Sequence, residues 1–329
     1  MPTKDTRTRR QDVPNEGDGG VFSQQWFPVC LSSEVAADAI RGTDFLDGRV
    51  IVVRDDEGVA SVLSAFCAHL GVDLSVGKRV GDRVQCPFHF WEYDSRGSCV
   101  ATGAGDRVPR DAKLFRFPTQ EMYGIIFAFN GETPLYELPR YPVADDSLVF
   151  KAGALDWVLS IDPWVISANT PDLAHITLLH DFEMVNDPYQ HVEWTDHSMT
   201  FPVQAKLPTG QMWDVHAGIY GTNYFFQHGE MDGRWFGWST PFGIPNPGQT
   251  KVYYIIAAQP LDGESAEDTD KFLDYALGVE MHIASQDMPV FEGIHYLPRN
   301  LTRSDRVLAR FFEYVRRYPR AHPSAAFIR

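Results

Sequence analysis

Cys67-Ala68-His69 and, sixteen residues later, Cys86-Pro87-Phe88-His89 decide how this chain is read. Each pair puts one thiolate and one imidazole on a single tight loop. Gly71, Gly77 and Gly81 lie between the pairs and mark a hairpin-like connection. Asp94-Ser95-Arg96-Gly97 forms a turn just after the second pair. The two loops are expected to converge on one metal site.

Zinc also takes two cysteines and two histidines, but its common hairpins each supply like ligands. Alternating Cys-x-His and Cys-x-x-His instead suits a two-iron cluster with unlike ends. Cysteines hold one iron and histidines the other, as in a Rieske [2Fe-2S] centre. Cys67, His69, Cys86 and His89 are the expected ligands. The remaining cysteines, Cys30 and Cys99, sit in strand-like or turn contexts and read as free structural thiols. This is not a disulfide framework, and a cytoplasmic setting is expected.

Around the pairs, short β-branched and aromatic runs alternate with turn signals. Val50-Ile51-Val52-Val53 and Gly124 to Phe129 are examples, with Asp47-Gly48 and Asn130-Gly131 as turns. Residues 23–140 are therefore expected to form an all-β domain, preceded by a flexible arm over 1–22. A proline-rich linker at Leu138-Pro139-Arg140-Tyr141-Pro142 leads into a second domain, 141–329. There a helix is expected within Pro163 to Asp181, capped at Thr170. Strands follow over 191–205, 211–217, 220–227 and 251–259, then helices over 266–288 and 304–318. The fold class is α+β: an all-β cluster domain plus an antiparallel sheet covered by helices, helix-grip-like.

The chain has 329 residues, 44% hydrophobic and 22% charged, enough for two domains with real cores. No apolar run reaches the ~20 residues that span a bilayer. The net charge of −15 argues against a nucleic-acid partner. Against that background, residues 67–117 carry eight Lys/Arg and six Asp/Glu. Lys78, Arg79 and Arg83 read either as a docking face for an acidic redox partner or as solvated turn residues.

The segment Cys67 to Cys99 resembles the Rieske domain of bacterial Rieske non-haem iron oxygenases, the terminal (α) components of hydroxylating and demethylating systems. Gln25-Trp26-Phe27-Pro28-Val29 is similar to the strand with which many members begin. The family often has Pro-Tyr-His-Gly-Trp after the second cysteine. Here it is Pro87-Phe88-His89-Phe90-Trp91, so Phe90 replaces a glycine. Asn169-x-x-Asp172-x-x-His175-x₄-His180 matches the family's second signature. Two histidines and one carboxylate leave open positions on ferrous iron for oxygen. At about 100° per residue, histidines five apart diverge by roughly 140° on an ideal helix. A π-like distortion or a helix end is therefore expected between His175 and His180.

The resemblance implies Asp287 as the carboxylate, with Glu292 as the alternative. It implies that Asp172 bridges His89 of one subunit to His175 of the next in a homo-oligomer, a trimer, and that Asn169 lies near the iron. It also implies a ferredoxin and/or flavin reductase delivering electrons from NAD(P)H. The short chain resembles the compact monooxygenase, demethylase and ketosteroid-hydroxylase-like branch. The expected substrate is an apolar ring compound, aromatic or steroid-like, taken with O2 and hydroxylated or oxidatively dealkylated. The eight aromatic residues Trp213, Tyr220, Tyr224, Phe225, Phe226, Trp235, Phe236 and Trp238 could line its pocket, although most of them read as core. Two rivals stand beside this reading: a Rieske electron carrier with a vacant second site, and a zinc-stabilised binding module.

Overall fold

The computed structural model describes residues 13–294 and 300–329, the side chain of Glu292 aside. Among these residues the chain forms an all-antiparallel β unit followed by an α+β unit, joined by one shared interface.

The first unit holds three small antiparallel sheets. Thr119–Met122, Ile125–Phe129 and Trp26–Leu31 form one sheet. Arg116–Phe117, Ala60–Ser64, Gly48–Arg54 and Arg41–Phe45 form the next. Phe27, Phe45, Val50, Val52, Phe117 and Ile126 pack between them as a dry core. A four-stranded meander of Lys78–Val80, Arg83–Gln85, Glu92–Tyr93 and Cys99–Ala101 carries the second cysteine–histidine loop, between Arg83–Gln85 and Glu92–Tyr93, while the first follows Ala60–Ser64.

The second unit is an eight-stranded antiparallel sheet. Its order begins with Val149–Leu159, Thr250–Ala258, Arg234–Gly243, Tyr224–Met231, Met212–Tyr220 and Ser198–Lys206, with Glu183–Met184 at the far edge. Glu193–Trp194 pairs with Ser198–Lys206 beside it. Period-two alternation gives the sheet two apolar faces. Met199, Phe201, Trp213, Phe236, Trp238 and Ile256 face the helices. Tyr224, Phe226, Tyr253 and Ile255 turn the other way, onto Trp26, Phe127 and Phe129 of the first unit. The long helix α3 (Ala266–Gly293) crosses the first face, and Arg306–Arg317 packs beside it.

Several details differ from the sequence reading. The helix expected between Pro163 and Asp181 is two short helices, α1 (Pro163–Ser167) and α2 (Leu173–Leu178). The cap of α2 is Asp172, not Thr170, because its carboxylate accepts from the backbone N–H of His175. The linker is not loose: Leu138 and Tyr141 are buried, and the Tyr141 hydroxyl lies 2.7 Å from Ser239 Oγ. Of the arm expected over 1–22, residues 1–12 lie outside the described residues and 13–22 are held in place. Glu16 donates its backbone N–H to Asp162, and its carboxylate accepts from both the N–H and the hydroxyl of Ser23. The C-terminal Ile328 returns to the first unit's core.

Of the long strands in the second unit's sheet, two went unread, Val149–Leu159 and Arg234–Gly243. The second carries Gly237, which reads as a breaker. A Cβ there would stand 2.5 Å from the Tyr141 ring, so only glycine lets linker and sheet close. Among the described residues no helix is long and apolar enough to cross a membrane.

Candidate functional site

The two cysteine–histidine loops close in the same way. In the first, Gly71 N–H donates to Cys67 O, and Cys67 N–H donates to Val72 O. In the second, Phe90 N–H donates to Cys86 O, and Cys86 N–H donates to Trp91 O. The residue four after each cysteine is left-handed: Gly71 at φ 74° and Phe90 at φ 56°. A glycine serves that position without strain, so Phe90 costs roughly 1–2 kcal/mol there. The close packing of Gly103 on this loop, where a Cβ would meet His89 O at 2.3 Å, helps hold the conformation.

These loops bury Cys67 and Cys86 and expose His69 and His89. The imidazole rings lie 4.7 Å apart between centroids, and His69 stacks on Trp91. The Tyr93 hydroxyl accepts from Ala68 N–H at 3.0 Å and lies 3.1 Å from Cys67 Sγ, to which it can donate. Sulfurs on the inner side and imidazoles on the outer fit a two-iron cluster with unlike ends. A Tyr93 hydrogen bond to the Cys67 thiolate would be of the kind that tunes a bound cluster's potential. Cys30 and Cys99 stand apart as buried free thiols, and burial pushes Cys30 up to about 12.

In the second unit α2 ends at Leu178, between the two histidines. The chain then turns back through Asp181 at φ 56°. That break turns His180 onto His175, with the Nε2 atoms 3.0 Å apart. Asp287, from α3, completes the group: its Oδ1 lies 3.4 Å from each Nε2. The ligand atoms of all three residues lie within 4.8 Å of one another.

The hydrogen bonds around them fix which nitrogens are free. His175 Nδ1 lies 3.0 Å from the Asp172 carbonyl, which can only accept. His180 Nδ1 lies 2.8 Å from Gln286 Oε1. Both protons therefore sit on Nδ1, and both Nε2 lone pairs face inward. Asp287 Oδ1 is buried with no hydrogen-bond partner among the described residues. Three electron-rich atoms converge, and a cation among them satisfies all three. Charge balance agrees. Burial resists the charge on Asp287, but positive charge taken up on the two imidazoles holds its carboxyl below the usual range, so the group favours a cation at its centre. Burial also opposes charge on His180, while Asp287 and Gln286 raise its proton affinity. The donor set of two imidazoles and one carboxylate fits a ferrous ion with open positions.

A cavity of about 210 Å³ opens beside this group. Its walls are mainly apolar, with Trp213, Phe225 and Trp238 from the sheet and Ile283, Met288 and Phe291 from α3. Asn169 lines it as well. Of the eight aromatics from Trp213 to Trp238 considered from sequence, these three reach the cavity. Asp172 sits at the start of α2, its carboxylate on the His175 backbone and its carbonyl on the His175 ring. Within one chain no hydrogen bond or ring contact among the described residues joins His69 or His89 to Asp172 or His175. His282 is exposed and outside the group, whereas Glu292 (its side chain) and His295 lie outside the described residues. Gln286, Tyr93, Glu280 and Gln227 were not singled out from sequence. Only Gln286 carried a signal, its place next to Asp287.

Comparison with known proteins adds the following. Residues 25–115 match the Rieske [2Fe-2S] domain model. The chain is 30% identical over 164 residues to a cholesterol 7-desaturase of Ciona intestinalis, covering 49% of this chain and 35% of that protein. It is 34% identical over 116 residues to the oxygenase component of a 3-ketosteroid-9-alpha-monooxygenase of Rhodococcus rhodochrous, covering 34% of this chain and 30% of that one. The chain thus spans about a third of the length of these curated relatives. The solved structure of NdmB from Pseudomonas putida CBB5 superposes with a TM-score of 0.69 at 17% identity, over 89% of this chain and 90% of that one.

Proposed function

For a chain that carries a Rieske [2Fe-2S] domain on the fold shared by the Rieske oxygenases, we propose the role of terminal oxygenase. It hydroxylates or oxidatively dealkylates an apolar, ring-containing substrate with O2. The observation that carries this reading is the convergence of His175 Nε2, His180 Nε2 and Asp287 Oδ1 at the mouth of an apolar cavity. A pure electron carrier has no use for either. The aromatic and steroid names among the relatives support the substrate class.

Cys67, His69, Cys86 and His89 hold the cluster; His175, His180 and Asp287 hold the iron. A two-iron cluster supplies single electrons, and a ferrous ion with open positions supplies oxygen activation. The protein's own residues do the rest. Asp172 and Gln286 fix the tautomers of the two iron-site histidines. Trp213, Phe225 and Trp238 hold an apolar ring against the site and keep water out. Asn169 borders the same space.

Exposed His69 and His89 have no partner at the iron site within one chain, which favours a ring of subunits, a trimer. There Asp172 joins His89 of one copy to His175 of the next. Electrons come from NAD(P)H through a ferredoxin and/or flavin reductase, with Lys78 and Arg83 exposed near the cluster for its docking. Two cysteines given to the cluster and two buried free thiols, Cys30 and Cys99, suit a reducing cytoplasm. The test is oxygen uptake by the metal-loaded protein with reductase and NADH, scanned over aromatic and steroid ring compounds. Uptake matched by oxygenated product supports the role, whereas electron transfer with no product across the scan overturns it.

A further inference from the structure

The cavity beside the iron site has one charged-type side chain that the oxygen chemistry does not use. Glu280 lies on the inner face of α3, only 5% exposed, and its Oε1 accepts from Gln227 Nε2 at 3.0 Å. Gln227 is itself 4% exposed, on the strand Tyr224–Met231. Both line the cavity, between walls of Trp213, Phe225, Trp238 and Ile283. Among the described residues no Lys, Arg or His pairs with Glu280, and Gln227 is its only hydrogen-bond partner. A carboxylate in such a place is costly, because nothing compensates its charge. Burial accordingly pushes its acid up to about 8, so at neutral pH it is a carboxylic acid with an O–H to donate. Gln227 Nε2 occupies Oε1 as a donor and cannot accept that proton.

Helix geometry gives the scale. Glu280 and Asp287 are seven residues apart on α3, two turns, on nearly the same face. The polar handle is therefore about 10 Å along the cavity from the iron ligand. An unused buried donor at one end of an apolar slot, with the reactive centre at the other, defines a ligand.

We propose that Glu280, held by Gln227, is the specificity-determining residue of this cavity: it donates a hydrogen bond to a ketone or hydroxyl oxygen at the far end of an elongated, rigid polycyclic substrate. This deepens the oxygenase reading and rests on it. Glu280 touches no iron ligand and sets which molecule binds, in which direction, and which ring is presented to the site.

The test uses the metal-loaded protein and two rigid probes, androst-4-ene-3,17-dione and the oxygen-free 5α-androstane. Binding is read by quenching of tryptophan fluorescence, since Trp213 and Trp238 line the cavity. The wild type is expected to prefer the dione, and Glu280→Gln, which still donates, keeps that preference within about threefold. Glu280→Met is expected to lower the preference at least tenfold, chiefly by weakening the dione. Glu280→Asp, which keeps the acid but withdraws it by one methylene, moves in the same direction should the Met variant not fold. A wild type that binds both probes equally or neither, or a preference unmoved in both Glu280→Met and Glu280→Asp, overturns the proposal. Iron counted on the same samples separates this from the parent reading. A wild type with no dione preference, or a preference unmoved in both variants, on samples with three irons per chain refutes the assignment of Glu280 alone. Two irons per chain refutes the oxygenase.

Discussion

Glu280 should make the stability of this protein depend on pH in an unusual direction. Its folded-state acid stands near 8, against an ordinary 4.5. Below pH 4.5 the folded and unfolded chains both keep the proton, and burial of the neutral acid costs little. Between 4.5 and about 8 the unfolded chain has released the proton and the folded chain still holds it. The unfolded state gains, and stability falls as pH rises through that window. Above 8 both states are ionised and the loss levels off. At ~1.4 kcal/mol per tenfold change in proton affinity, the full loss is roughly 5 kcal/mol. Glu280 is hydrogen-bonded by neutral Gln227 and interacts electrostatically with Tyr141, itself held neutral by burial. The His175–His180–Asp287 group lies two turns along α3. None of these supplies a compensating charge beside the acid.

Glu280→Gln removes this linkage while keeping the shape. At pH 5 the variant and wild type should melt within a degree or two of each other. At pH 8.5 the variant should melt several degrees higher, since a few kcal/mol moves the midpoint of a chain this size by that much. Thermal melts followed by tryptophan fluorescence across pH 5 to 8.5 read the difference directly. A gap between the two proteins that does not widen with pH refutes the view that Glu280 is a buried neutral acid.

Three further outcomes follow from the same geometry. Gln286→Leu removes the acceptor that fixes the His180 tautomer and should weaken iron binding at that site by about 10- to 100-fold, with the cluster's visible spectrum unchanged. Phe90→Gly relieves a left-handed non-glycine residue; a gain of about 1 kcal/mol in stability, with the cluster retained, is expected in thermal melts of the loaded protein. Asp172→Ala should keep both metal sites yet cut coupled turnover at least tenfold, and full turnover with both sites loaded would remove the bridge between subunits.

Most of the first unit was legible because its chemistry is local. A ligand pair on a five-residue loop is written in contiguous residues, and the strands around it alternate with turn dipeptides. The His175–His180 pair was legible through the resemblance, and the helix end between them followed from the 100° helical step once both were taken to face one metal. What stayed hidden depends on tertiary packing. Arg234–Gly243 did not read as a strand because Gly237 is there to admit Tyr141, a residue almost a hundred positions earlier. The cap of α2 was misplaced because Thr170 and Asp172 are both good caps, and only the fold decides which carboxylate or hydroxyl meets His175 N–H. Tyr93, Gln227 and Glu280 gave no signal, since a lone polar residue on a strand or helix is indistinguishable from a solvated one until its surroundings are known. Phe90 is the reverse case: the sequence showed the departure from glycine, and the φ of 56° shows its cost.

The measurement that bears most directly on this account is iron and acid-labile sulfide counted per chain. Wild-type protein should hold three irons and two sulfides, and Asp287→Ala should hold two of each with the same red-brown spectrum. Two irons in the wild type, or three retained in Asp287→Ala, would contradict a mononuclear iron held by His175, His180 and Asp287.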